Sequence, residues 1–132
     1  MFGEAVMGLI YAEIRLANPK NSALKPLAVK ALVDTGAVTI CIPRRIASKL
    51  QLAEIEKRRI RTADGKLHSV PYVGPVQVNF KNRTSFTGAL VLGRFVLMGA
   101  VPMEDMDLVL SPSGQTVTVN PKSPDIPEAI VM

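Results

Sequence analysis

Ala31-Leu32-Val33-Asp34-Thr35-Gly36-Ala37 decides how this chain is read. Three apolar residues run directly into a carboxylate. An acid at the end of a buried apolar strand is costly unless its charge is compensated. A strand-to-loop turn offers backbone N–H groups to do so. Thr35 adds a hydroxyl, and Gly36 lets the backbone approach closely. Upstream, Leu27 to Val33 reads as a strand that ends at Asp34. Downstream, Val38-Thr39-Ile40-Cys41-Ile42 resumes as a strand. Pro43 suits the first position of a helix. Ile46, Ala47, Leu50 and Leu52 give that helix an apolar face.

Further out, the pattern stays one of short apolar segments divided by Gly, Pro and Asn, which predicts an all-β domain. From Glu4 to Leu16 the residues Val6, Ile10, Ile14 and Leu16 recur at even positions. Glu13 and Arg15 fall on the other face, so period two predicts a long strand. Asn18-Pro19-Lys20-Asn21 breaks it. Asp64-Gly65 between Arg58 to Ala63 and Lys66 to Val70 is a hairpin signal. Val76, Val78 and Phe80 alternate with Gln77 and Asn79. Lys81-Asn82-Arg83 turns the chain into a strand from about Thr84 to Leu92. Phe95 to Met98 is a short apolar run closed by Gly99. Pro102 to Met106 predicts one helical turn with acids in its first turn. Leu108 to Leu110 and Thr116 to Val119 are the last strands, separated by Ser111-Pro112-Ser113-Gly114. Residues 1–120 are read as one domain and 121–132 as a proline-rich tail, extended or mobile.

Composition narrows the function classes. At 132 residues and 48% hydrophobic, the chain can bury one core. The net charge is +5, concentrated in Arg44, Arg45, Lys49, Lys57, Arg58, Arg59, Arg61 and Lys66. No stacking aromatic is interleaved there and no nucleic-acid motif accompanies it. The run therefore reads as a solvated helix and hairpin, which argues against a nucleic-acid partner. Cys41 is single, so no intrachain disulfide forms, and its apolar context predicts a buried core thiol. His68 is the only histidine, too little for a zinc site, and is expected on an exposed strand. No cofactor or metal is expected. No signal peptide and no apolar span long enough for a bilayer is evident, which makes the cytoplasm the expected location.

The segment Val33-Asp34-Thr35-Gly36-Ala37 resembles the Asp-Thr-Gly signature of aspartic proteases. The order of parts is similar to the retropepsin family and its small bacterial relatives. An apolar strand enters Asp-Thr-Gly-Ala, and a flap hairpin follows, matched by Arg61 to Lys66. An apolar-apolar-Gly element comes later, matched by Leu97-Met98-Gly99, with a short helix after it. The resemblance covers roughly Gly3 to Pro121. A chance Asp-Thr-Gly arises in a chain this long roughly a few times in a hundred. The surrounding elements make a plain turn a poor explanation.

The resemblance implies an all-β, closed barrel-like acid-protease monomer with one or two short helices, forming a symmetric homodimer. It implies an aspartic endopeptidase acting on peptide or protein substrates, with Asp34 as the catalytic carboxylate. No second Asp-Thr-Gly or Asp-Ser-Gly occurs. The chemistry needs two carboxylates, so a second copy is expected to supply the other on a two-fold axis. Two carboxylates that close hold one proton between them and activate a water. By the same resemblance Thr35 and Gly36 support the catalytic loop, and Thr35 bonds across the dimer. Ala37, Ala63, Asp64 and Gly65 contact substrate, the last three at the flap tip. Leu97, Met98 and Gly99 pack beneath the loop. Met1 to Val6 and Thr116 to Val119 are candidate dimer strands, and the 126–132 tail is a weaker one.

Three alternatives stay open. The flap match is also compatible with a simple tight hairpin. The same fold can serve as a non-catalytic module that binds peptide or protein. A basic β-barrel binding nucleic acid is the third reading.

Overall fold

Alternation of apolar and polar residues builds strands that close on one another. The computed structural model describes residues 9–111 and 115–131. In chain order the elements are β1 (Tyr11–Ala17), β2 (Leu27–Val33), β3 (Ile40–Ile42), α1 (Arg44–Lys49), β4 (Glu54–Arg61) and β5 (Leu67–Phe80). Then follow β6 (Arg83–Val91), β7 (Leu97–Met98), α2 (Ala100–Asp105), β8 (Leu108–Ser111) and β9 (Thr116–Val119). The main sheet runs β1-β2-β7-β3-β6-β5-β4, and β1 also pairs with β5. That extra pairing closes six strands into a barrel and leaves β4 outside it, paired with the first half of β5. Closure removes the exposed edges an open sheet would carry.

The even-position face of β1 points inward: Ala12, Ile14 and Leu16 are buried while Tyr11, Glu13 and Arg15 are exposed. Its predicted beginning at Glu4 and the candidate dimer strand Met1 to Val6 lie outside the described residues. The core is completed by Ile40, Ile42, Val76, Val78, Ala89 and Met98, all fully buried. Each large apolar side chain there contributes about 1.5–3 kcal/mol. Cys41 is buried and His68 exposed.

Several boundaries differ from the sequence reading, each for a tertiary reason. The strand after the Asp34 loop is only Ile40–Ile42, and Val38 is 71% exposed. Pro43 caps α1 in an extended conformation instead of opening it, and its carbonyl accepts the N–H groups of Ile46 and Ala47. α2 begins at Ala100, two residues early, because Ala100 and Val101 donate their N–H groups to the carbonyls of Ala37 and Val38 (both 2.8 Å). These tertiary acceptors satisfy donors that a helix start leaves free. Glu104 and Asp105 thus fall in the last turn of α2, not in its first. The runs read as two strands on either side of Pro75 are one strand, β5, with a register shift between Val73 and Val76. That irregularity lets the strand pass from β4 to β1.

The tail turns back on the barrel. Asn82 Nδ2 donates to the carbonyl of Pro124 (2.9 Å), and the buried Arg83 donates through Nη2 to that of Ser123. The Asp107 carboxylate accepts from Asn120 Nδ2 (3.0 Å), the Ser123 hydroxyl and the Glu128 N–H (2.9 Å). Thr116–Val119, a candidate dimer strand, pairs within the chain with β8. Among the described residues no helix is long and apolar enough to cross a membrane.

Candidate active site

Asp34 stands where β2 leaves the barrel. β2 runs parallel to β7, with Leu32 opposite Leu97 and Val33 opposite Met98. The pairing carries on one step into the loop, where the Asp34 N–H donates to the carbonyl of Met98 (3.0 Å). Leu32 N–H to Val96 O (2.9 Å) and Val33 N–H to Ile10 O (2.8 Å) fix the strand from both sides. The chain then turns, with the Ala37 N–H on the Asp34 carbonyl (3.0 Å).

The side chain is held by its own loop. Gly36 N–H donates to Asp34 Oδ1 at 3.0 Å. A β-carbon on Gly36 would lie 3.1 Å from that same oxygen, so a bare residue suits the turn. Asp34, Thr35 and Gly36 are all exposed in the single chain. The acid foreseen as buried is instead exposed, and one backbone donor meets its carboxylate.

Beneath the loop, Met98 is fully buried and Gly99 lies against the carbonyls of Thr39 and Ala37. With the bonds from Ala100 and Val101, residues 34–39 are stapled to residues 98–101. Met98 and Gly99 thus meet the loop directly, whereas Leu97 pairs with Leu32 and Cys41 in the strands on either side of it.

Ala63, Asp64 and Gly65 form the tip of the β4–β5 hairpin, some distance in sequence from the loop. Strand pairing ends at Arg61 and Leu67, which makes the connection five residues long, not the tight Asp-Gly pair. Thr62 and Lys66 close it (Thr62 N–H to Lys66 O, 3.0 Å), and Gly65 takes a φ of 83°. Asp64 works inside the turn: its Oδ1 accepts from the Thr62 hydroxyl and the Lys66 N–H. The Thr62 hydroxyl, then the Lys66 N–H, holds this carboxyl below its usual range.

Between the hairpin and the Asp34 loop lies a cavity of about 320 Å³ that the sequence reading did not foresee. Val38 and Thr39 contribute from the loop, Arg58 and Ile60 from β4, Tyr72 from β5 and Leu90 from β6. Arg58 belongs to the basic run read as solvated surface. Its position facing the site follows from strand pairing, and no local motif marks it.

The comparisons with known proteins follow this geometry. The family described as gag-polyprotein putative aspartyl protease matches residues 25–100, which include the Asp-Thr-Gly loop, the hairpin and Leu97-Met98-Gly99. No curated protein matches the sequence. The solution structure of simian foamy virus (mac) protease is similar at 22% identity and a TM-score of 0.46, over 70% of this chain and 92% of that one. The crystal structure of a protein of unknown function from Legionella pneumophila subsp. pneumophila str. Philadelphia 1 is similar at 16% identity and a TM-score of 0.43, over 79% of this chain and 93% of that one. The family match spans more than half of the chain and includes the Asp-Thr-Gly loop, so this protein belongs to the retroviral-type, retropepsin-like aspartyl protease family.

Proposed function

We propose that the protein is an aspartic endopeptidase active as a homodimer, with one Asp34 from each subunit. The observation that carries this reading is the exposed Asp34 carboxylate, held by Gly36 N–H in a loop bonded to residues 98–101. A rigid, open carboxylate at the end of a strand suits a reaction that needs a second carboxylate from outside the chain. Brought together on a two-fold axis, the pair cannot keep both charges at such range and holds one proton. The ionised member takes a proton from a water between them. That water attacks the scissile carbonyl carbon, whose oxygen the protonated member polarises. Collapse of the tetrahedral intermediate breaks the C–N bond as a proton passes to the departing amine. No covalent intermediate is needed.

The remaining roles are those the family resemblance implies. Thr35, exposed beside Asp34, bonds to its counterpart across the axis. Ala37 lines the peptide site. Ala63, Asp64 and Gly65 close over a substrate bound as an extended strand, with backbone bonds giving affinity and side-chain pockets giving preference.

The test is cleavage of a broad peptide library by the purified protein, with sedimentation to establish its mass. Pepstatin-sensitive cleavage, strongest at acidic to neutral pH, is expected from a dimer and is expected to vanish in Asp34→Asn. Cleavage that survives Asp34→Asn refutes the mechanism. A well-folded dimer that cleaves nothing favours a binding module on the same fold.

A further inference from the structure

The cavity between the catalytic loop and the hairpin has a definite chemical character. Its apolar lining is Val38 from the loop, Ile60 from β4, Leu90 from β6 and Val101 from α2. Tyr72 closes one side. Its ring lies against the backbone of Gly88, where a β-carbon would stand 2.1 Å from the ring Cζ. Any side chain at 88 would displace the ring, so Gly88 is what seats Tyr72. Thr39, which also lines the cavity, donates its hydroxyl to the Gly88 carbonyl (3.2 Å) and ties that strand to the catalytic loop.

Arg58 is laid over this ring. Its Cζ is 3.8 Å from the Tyr72 ring centroid. β4 and β5 pair Glu56 with Tyr72 and Arg58 with Val70, so Arg58 reaches Tyr72 as a diagonal neighbour on one face. Nε of Arg58 donates to Glu56 Oε2 and the Tyr72 hydroxyl is also within the guanidinium's reach, which leaves part of its Nη edge open. Arg59 also lines the cavity, and no carboxylate does among the described residues. Arg59 is the next residue along β4, so its side chain turns to the opposite face of the strand, and Glu56, the one carboxylate on the guanidinium, is already paired with Nε of Arg58. A stacked, planar guanidinium with a free edge matches a carboxylate in two-point geometry.

We propose that this cavity is a specificity pocket for an acidic side chain of the substrate, glutamate above all. The aliphatic stem would lie on Ile60 and Leu90 and the carboxylate would meet the Nη edge of Arg58. This rests on the reading of the protein as a peptide hydrolase. It adds a substrate class to that reading, and makes Arg58 a specificity-determining residue.

The test uses a position-scanning peptide library in which Glu, Gln and Leu are exchanged one position at a time. The full-length protein should show one position where Glu is preferred to Gln by about tenfold in kcat/KM, the size of a good charge-assisted contact. Arg58→Met should bring that ratio close to one. Glu56→Gln, which removes the competing negative charge, should raise it. Failure of either variant to move the ratio in its stated direction overturns the proposal, as does a library with no Glu-preferring position. The same peptides are titrated by calorimetry against Asp34→Asn. Should the wild type cleave nothing, a Glu-over-Gln preference in binding that Arg58→Met abolishes still supports the pocket while the hydrolase reading falls. Equal binding of Glu and Gln peptides overturns the pocket whatever the fate of hydrolysis.

Discussion

A β-carbon on Gly99 would stand 2.3 Å from the carbonyl oxygen of Thr39. The Ala37 carbonyl oxygen would be 2.6 Å away, and it already accepts the Ala100 N–H. Both neighbours are backbone, so neither can swing aside alone. Gly99→Ala must push the Asp34 loop off α2. The expected cost is about 2–3 kcal/mol, at the upper end for overpacking, with cleavage falling alongside. Urea denaturation measures the first and peptide turnover the second. Gly93→Ala is the control: its φ of 80° strains a side chain, but nothing lies within 4 Å. It should cost about 1–2 kcal/mol and leave turnover near normal. A Gly99→Ala protein as stable as the parent would contradict this packing.

Met98 links core and site. Its side chain is fully buried, and its carbonyl holds the Asp34 N–H. Met98→Ala should cost about 2–5 kcal/mol, the range for truncating a buried side chain of this size. Because the backbone bond remains, the folded fraction should keep its turnover per molecule. Activity lost in proportion beyond the unfolded fraction would show that the side chain, and not only the backbone, sets the loop.

The tail clamp should respond to acid. The Ser123 hydroxyl, with the Glu128 N–H and Asn120, pulls Asp107 down to about 2 from an ordinary 3.8. A carboxyl lowered on folding contributes stability above its unfolded value and loses that contribution as pH falls through its folded one. Tail protection should therefore be intact at pH 5 and decline between about pH 4 and 2. Amide exchange at Glu128 reports it directly. In Asp107→Asn that amide should exchange faster at pH 5, and the decline below pH 4 should disappear.

Cys41 should be slow to alkylate. Burial, and then the negative charge of Asp34, raise its thiol above the usual 9.0. The thiolate is the reactive form, so both effects suppress it. At pH 8 iodoacetamide should label urea-unfolded protein readily and folded protein hardly at all. Asp34→Asn removes the second cause, and labelling of its folded form should be modestly faster. Labelling of the native protein at the unfolded rate would mean that the thiol is not buried.

Much of this was legible locally. The inward face of β1, the strand ending at Asp34, the burial of Cys41 and the apolar run before Gly99 all follow from side-chain period and turn chemistry. Boundaries shifted where a distant partner intervened. Val38 reads as strand, yet its carbonyl is spent on Val101 and its side chain stands largely exposed at the edge of the cavity. α2 starts early because residues 37 and 38 accept its first free donors. The tail's prolines suggested an extended segment, whereas Asn82, Arg83 and Asp107 hold it in place. Sequence spacing gives no hint of bonds across some forty residues.

The order of residues along the chain determined the acid, its turn and the alternating strands, because those depend on neighbours within a few positions. Closure of β1 onto β5, the seating of residues 34–39 on residues 98–101, and the meeting of Arg58 with Tyr72 over Gly88 were decided only in three dimensions. Each joins groups whose mutual distance is set by sheet pairing and packing, and those are properties of the whole barrel rather than of any one segment.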